Sequence, residues 1–273
     1  MMNVAVFGAG NMGKAIIGGL KRAYGADVRL VAWDKEPKAL EGLGGAAEAI
    51  SPDGWAGISF VPDAVILAVK PADIFELLDD VVGPAAKEHN FGFLMISIAA
   101  GIPISSIRVR EKLGSGARIC RVMTNTPALI GEGMSAYALS EGCGDKDAAL
   151  VEAIFKACGK VISVPECQMD AVTGLSGSGP AFVYSFIEAL AEGGVSAGLP
   201  YNVALDAAVQ TVVGAAKMAQ SASEHPSALR ARVMSPGGTT VRGLYALERG
   251  AFKGAVMSAV MEAAARSAGL SAG

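Results

Sequence analysis

Short apolar runs alternate with longer amphipathic stretches through roughly the first 165 residues, and the short runs then stop. NVAVF (3–7), VRLVAW (28–33), AVILAV (64–69), FLMISI (93–98) and ARICRV (117–122) each read as a buried strand bounded by turn residues. SAYAL (135–139) and KVISV (160–164) read as two more. Between them, GAGNMGKAIIGGLKRA (8–23) predicts a turn followed by a helix, PKALEGL (37–43) is a polar segment, and a further helix is predicted near 72–82. Continuous apolar strands alternating with helices predict a parallel sheet covered on both faces.

Beyond about residue 166 the period changes. Pro180–Gly194, Pro200–Ser221, Pro226–Val233, Thr239–Arg249 and Lys253–Ala268 read as helices with Pro or Gly at their ends, and no strand pattern interrupts them. The expected organisation is an α/β domain over 1–165 followed by an all-helical domain over 166–273. The apolar positions of those long, alanine-rich helices suggest contact between subunits.

Composition narrows the function classes. Hydrophobic residues make up 52% of the 273 and charged residues 18%, and a net charge of −3 leaves no basic footprint for nucleic acid. Cys120, Cys143, Cys158 and Cys167 form no CxxC pair, and with only His89 and His225 beside them a metal site is not expected. The longest uncharged run, HNFGFLMISIAAGIPISSI (89–107), is interrupted by Gly, Pro and Ser, and its apolar core falls short of the ~20 residues a membrane helix needs. The first strand begins within three residues of Met1, which leaves no room for a signal peptide. The expectation is a soluble cytoplasmic protein with reduced thiols. Met12, Met218, Met234 and Met257 are expected to fill core gaps.

Gly8, Gly10 and Gly13 form a G-x-G-x-x-G between the first strand and the first helix. Gly8 suits the tight turn, Gly10 admits a pyrophosphate to the backbone, and Gly13 lets helix and strand pack closely. With Ala9, Asn11 and Met12 between them, they make a dinucleotide loop at the positive end of a helix. Asp34 follows the second strand where an acid can bind a ribose 2′-hydroxyl. That suggests NAD, while Lys35 beside it, with Arg29 and Lys38 near, leaves a 2′-phosphate open; Asp34-Lys35 reads equally as a solvated loop. Val69, Lys70 and Pro71 end the third apolar strand at the sheet's carboxyl edge, where cofactors lie.

SPGGTTVRGL (235–244) sets two glycines and two threonines before another helix. A helix start leaves about four N–H groups unpaired and favours an anion there. Gly237 and Gly238 give a ligand access to the main chain, and the hydroxyls of Ser235, Thr239 and Thr240 both donate and accept. The residues describe a carboxylate cradle; they also describe an ordinary N-cap.

Read together, VFGAGNMGKAIIGGL, LAVKP, SIAAGI, RVMTNTPALIGEG, DAVTGLSGSGPAF and SPGGTTVRGL resemble the pyrroline-5-carboxylate reductase family, in family order over nearly the whole chain. The resemblance implies a Rossmann-like doubly wound sheet joined to a helical substrate-binding and dimerisation domain that intertwines with a second subunit. It implies reduction of 1-pyrroline-5-carboxylate to L-proline with NADPH or NADH. It further implies that Ser235 and the Gly237–Thr240 backbone hold the carboxylate, with the Thr240 hydroxyl near the ring nitrogen. Ala99, Ala100 and Asn125 match positions beside the nicotinamide, and Glu166 matches an acid near the substrate. The chain departs from the family at Thr124, where many members have Pro. It also departs in GGAAEAISPDGWAGISFVP (44–62), which lacks an adenosine-contacting Asn and places Trp55 near that position.

Two other readings fit part of the pattern. A β-hydroxyacid-type dehydrogenase shares the glycine loop but needs a catalytic Lys on a helix, and the helical region offers only Lys217 and Lys253. A non-catalytic dinucleotide-binding regulator would have no use for the SPGGTT cradle.

Overall fold

The computed structural model describes residues 1–50, 60–83, 92–109 and 117–271. Trp55 therefore lies outside the described residues.

Eight strands form one sheet among the described residues: β1 (Met2–Phe7), β2 (Val28–Trp33), β3 (Glu48–Ala49), β4 (Ala64–Leu67), β5 (Leu94–Ser97), β6 (Arg118–Met123), β7 (Gly133–Leu139) and β8 (Gly159–Ser163). Their order is β3-β2-β1-β4-β5-β6-β7-β8. The first strand is therefore central, and the chain winds outward from it on both sides, which is the doubly wound arrangement the pattern predicted.

Alternation along the strands builds two cores. Ala5, Phe7, Val65, Leu67 and Met95 face one side of the sheet, where Ile74, Leu78, Ile107 and Met169 cover them. Val4, Val6, Ile66, Leu94 and Ile96 face the other, beneath Ile16, Ile17 and Leu20 of α1 (Asn11–Tyr24) and Ile154 and Phe155 of the helix Asp145–Lys156. Pairs β1–β2, β1–β4, β4–β5, β5–β6 and β7–β8 are parallel.

Two local features differ from the predicted pattern. β6 and β7 pair antiparallel, Cys120 opposite Leu139. The link between them, residues 124–132, holds one 3-10 segment and is shorter than the dozen or more residues a parallel crossover requires. β3 has no apolar signal because both its residues are exposed; it exists through pairing with Val31 and Ala32 at the sheet edge.

The chain contacts divide into two compact units, Met1–Ser178 with Glu262–Gly273, and Gly179–Met261. In the second unit, Gly179–Ser196 and Tyr201–Ser221 form a helical hairpin that turns at Gly198 (φ +102°) and Pro200. Pro226–Arg232 and Thr239–Arg249 follow, and Phe252–Ser271 begins in this unit. Its buried core consists of Ala191, Ala204 and Ala208, with Ile187 and Leu205 packed against them. Tyr184, Val233, Tyr245, Met257 and Met261 are all more than half exposed. The expectation that Met218, Met234 and Met257 fill a core is therefore corrected: they are 62%, 41% and 64% exposed on this chain. Three alanines build too thin a core to cover them. Met12 alone of the four packs against a sheet-face core.

Among the described residues no helix is long and apolar enough to cross a membrane. Phe155 is 1% exposed between its helix and the sheet. Phe155→Ala is expected to cost about 3–5 kcal/mol of stability through lost burial and a residual cavity, read as a lower denaturant midpoint at unchanged slope.

Candidate active site

The carboxyl ends of β1, β2 and β4 are held level. Phe7 stands opposite both Trp33 and Leu67. One step further, the Gly8 N–H donates to the Trp33 carbonyl at 2.7 Å and the Ala68 N–H donates to the Phe7 carbonyl at 2.7 Å. The loops after all three strands consequently open at one place, the point where the winding direction reverses.

Each glycine of the 8–13 loop has its own physical reason. Gly8 has φ +107°, and a Cβ there would lie 2.5 Å from the Ala68 carbonyl oxygen. A Cβ on Gly13 would collide with the Gly8 carbonyl. Gly10, which caps α1 with no side-chain hydrogen bond, has nothing within 4 Å of a built Cβ. Beside it α1 begins with no acidic residue in its first turn. An open main-chain approach at a helix N-terminus fits the pyrophosphate of a dinucleotide. Gly10 and Asn11 are exposed, while Ala9 is buried.

Asp34 is tied into this loop. Its Oδ2 accepts the Ala9 N–H at 2.6 Å and its Oδ1 accepts the Glu36 N–H at 2.8 Å. The carboxylate thus clamps the glycine loop to the end of β2. Lys35 reaches across to Asp73, with Nζ 2.7 Å from Oδ1. That bond, opposed by desolvation and reinforced by the charges of Asp73, Glu76 and Glu36, raises the Lys35 pKa. Lys35 and Val69 border a cavity of about 200 Å³ walled by Trp33, Leu77 and Val81. The buried Trp33 indole N–H has no partner among the described residues. An apolar slot beside the glycine loop suits the adenosine half of a dinucleotide. Lys70 and Pro71 are exposed and start the 3-10 segment Pro71–Asp73.

Ala99 is buried and Ala100 half-buried in the turn after β5. The Asn125 amide is bonded at both ends: Nδ2 donates to the Ser176 carbonyl at 2.9 Å, and Oδ1 accepts the Met134 N–H at 2.9 Å. Asn125 therefore joins the start of β7 to the π-helical turn Thr173–Gly177 that carries LSG. Thr124, at the family's frequent Pro position, accepts the buried Ser135 hydroxyl at 2.9 Å.

Glu166 Oε1 accepts the Ile104 N–H at 2.7 Å, at the start of the helix Ile104–Arg108. Arg121, 5% exposed, lies 3.6 Å from both Glu166 and Asp170, and Ser267 donates to Asp170 at 2.7 Å. Sequence reasoning missed Arg121 as the buried centre of this charge cluster, whose two carboxylates are partly exposed. The signal was present, a cation inside the apolar run RICRV.

The second glycine-rich stretch enters the helix Thr239–Arg249 with Gly238 at the N-cap and no side-chain cap bond. Gly237 takes φ +68°, the Gly238 N–H donates to the Ser235 carbonyl at 2.9 Å, and a Cβ on Gly238 would strike the Ser235 hydroxyl. Ser235, Gly237 and Thr239 are exposed, and Gly238 and Thr240 are half-buried. No acid occupies the first turn. A helix entrance left uncapped in this way favours negative charge. Of the two lysines available to a hydroxyacid mechanism, Lys253 lies 3.4 Å from Glu248 on the surface.

Comparison with known proteins covers both units. A family model described as pyrroline-5-carboxylate reductase dimerisation matches residues 166–270. A model described as NADP oxidoreductase coenzyme F420-dependent matches residues 3–101. The pyrroline-5-carboxylate reductase of Arabidopsis thaliana is 44% identical over 191 residues, 70% of this chain and 67% of that protein. Pyrroline-5-carboxylate reductase 3 of Rattus norvegicus is 39% identical over 254 residues, 92% of this chain and 89% of that protein. The crystal structure of Plasmodium falciparum pyrroline carboxylate reductase with NADP bound is 31% identical and superposes with a TM-score of 0.85, covering 99% of this chain and 98% of that one.

The two loop glycines should separate binding from folding. Gly10→Ala places its methyl in open space, so it is expected to weaken dinucleotide binding at least about tenfold with melting unchanged. Gly13→Ala is expected to destabilise the protein itself. Calorimetric titration beside thermal melting distinguishes the two.

Proposed function

The chain belongs to the pyrroline-5-carboxylate reductase family, and we propose that it reduces 1-pyrroline-5-carboxylate to L-proline, the last step of proline biosynthesis, with NADPH as donor and NADH as an alternative. The observation that carries this reading is the pairing, in one chain, of the open glycine loop at Gly10 with the uncapped helix entrance at Gly238. One accepts a pyrophosphate; the other accepts the carboxylate that distinguishes this substrate.

The nicotinamide supplies a hydride to the imine carbon, and the nitrogen takes a proton. The residues Gly8, Ala9, Gly10, Asn11, Met12 and Gly13 hold the pyrophosphate at the start of α1. Asp34 fixes that loop, and Lys35, Val69, Lys70 and Pro71 border the adenosine half. Ala99, Ala100 and Asn125 shape the nicotinamide end, Asn125 by anchoring the π-helical turn. Ser235 and the Gly237, Gly238 and Thr239 main chain hold the carboxylate. Thr240 orients the ring nitrogen through its hydroxyl, and Glu166 stands as a further acid of the substrate region. A cyclic imine is protonated in solution near neutral pH, so orientation and electrostatic positioning suffice without a histidine base. His225 is in any case bound to Ser227 at the start of its own helix.

The protein acts on this small molecule in the cytoplasm as a homodimer or larger homo-oligomer, with no nucleic acid or membrane partner. The exposed apolar residues of the helical unit, within the stretch matched by the dimerisation model, support the assembly.

Two measurements test this. Oxidation of NADPH or NADH should require racemic pyrroline-5-carboxylate, and Thr240→Ala should lower turnover about 10²-fold at unchanged melting temperature. Wild-type turnover in that variant would remove Thr240 from the chemistry, and no imine-dependent oxidation from folded protein would remove the reductase activity. The melting temperature should rise with protein concentration, as it does when folding is linked to association. A concentration-independent midpoint at monomer mass would overturn the dimer.

A further inference from the structure

Resting on the dinucleotide reading above, we propose that Asp73 sets the balance between phosphorylated and unphosphorylated dinucleotides by competing with a ribose 2′-phosphate for Lys35.

The competition follows from how the end of β2 is wired. Asp34 is the residue a sequence argument assigns to the ribose, but both its oxygens already accept main-chain N–H groups. Its charge is fixed against the glycine loop and does not reach across to neutralise Lys35. Arg29 lies over the Phe60 ring, 4.5 Å from the centroid. Among the described residues lining the adenosine-sized cavity, Lys35 is the one cation, and Asp73, Glu76 and Asp80 are its acidic neighbours. Lys35 is drawn to the first of these at 2.7 Å.

A 2′-phosphate brings about two negative charges to this rim. To pair with it, Lys35 must leave Asp73, and the abandoned carboxylate then faces the phosphate as a like charge. A 2′-hydroxyl makes no such demand. It can accept from the Lys35 amine and donate to the Asp73 carboxylate with the ion pair intact. The pair therefore narrows the preference for the phosphorylated ribose that Lys35 alone would give. Because Lys35 is 58% exposed, the effect is modest and falls as salt screens it.

Equilibrium binding of NADPH and NADH to the full chain, without substrate, tests this independently of turnover. Asp73→Asn is expected to tighten NADPH about fivefold, the range of an exposed ion pair, while NADH changes less than about twofold. The gain should shrink when Lys35→Ala is added, leaving only the relief of like charge, and should also shrink at about 0.5 M salt. Equal changes for both nucleotides, no change for NADPH, or a gain undiminished in the Lys35→Ala background would overturn the competition for Lys35 while leaving the dinucleotide reading standing. Failure of the folded wild-type protein to bind either nucleotide would overturn both.

Discussion

Phe7 is paired on one side with Trp33 and on the other with Leu67, and that register decides where everything else can happen. A slip of one residue would turn every side chain of β1 to the opposite face, exchanging the contents of two separate cores. With the register fixed, three strand ends finish level, and the Gly8 N–H and the Phe7 carbonyl continue the ladder one step past the sheet. The glycine loop, the Asp34–Lys35 corner and the Val69–Pro71 turn are then neighbours by construction.

Two helix entrances do related work under different constraints. At α1 the turn after β4 crowds position 8 and the Gly8 carbonyl crowds position 13, so only glycine fits at either. Asp34 adds a carboxylate that holds the loop closed from the side, while the space over Gly10 remains open. At Gly238 the crowding comes from the chain's own Ser235, and Gly237 supplies the positive φ that turns the stretch into the helix. Neither entrance has an acid in its first turn or a side-chain cap. The positive end of each helix is thus available to a ligand instead of being neutralised locally.

Much of this was legible in the sequence because it is written in local patterns. The apolar runs marked the longer strands, the Pro and Gly boundaries marked the helices, and the two glycine-rich stretches marked both uncapped helix entrances. What escaped notice depends on partners distant along the chain. Lys35 and Asp73 lie 38 positions apart, and Asn125 and Ser176 lie 51 apart. A residue type at a position says what it can bond to, not what it has already bonded to. Asp34 shows this: its spacing suggested a ribose ligand, and it gave no sign that each oxygen also accepts a main-chain N–H. β3 was invisible because edge pairing alone creates it, and the antiparallel β7 becomes readable only when the length of its link is weighed. The methionines misled because an apolar residue looks the same whether it fills its own core or waits for another surface.

The helical unit's core of three alanines carries a last consequence, for gene dosage. In a homo-oligomer, pairing through such a unit scales with the square of the free chain concentration. Halving synthesis then removes more than half of the paired chains when abundance is near the dissociation constant. The unpaired remainder presents Tyr184, Met257 and Met261 to chaperones and proteases. Supply of the chain, as much as any side chain in the site, would set how much working protein a cell keeps.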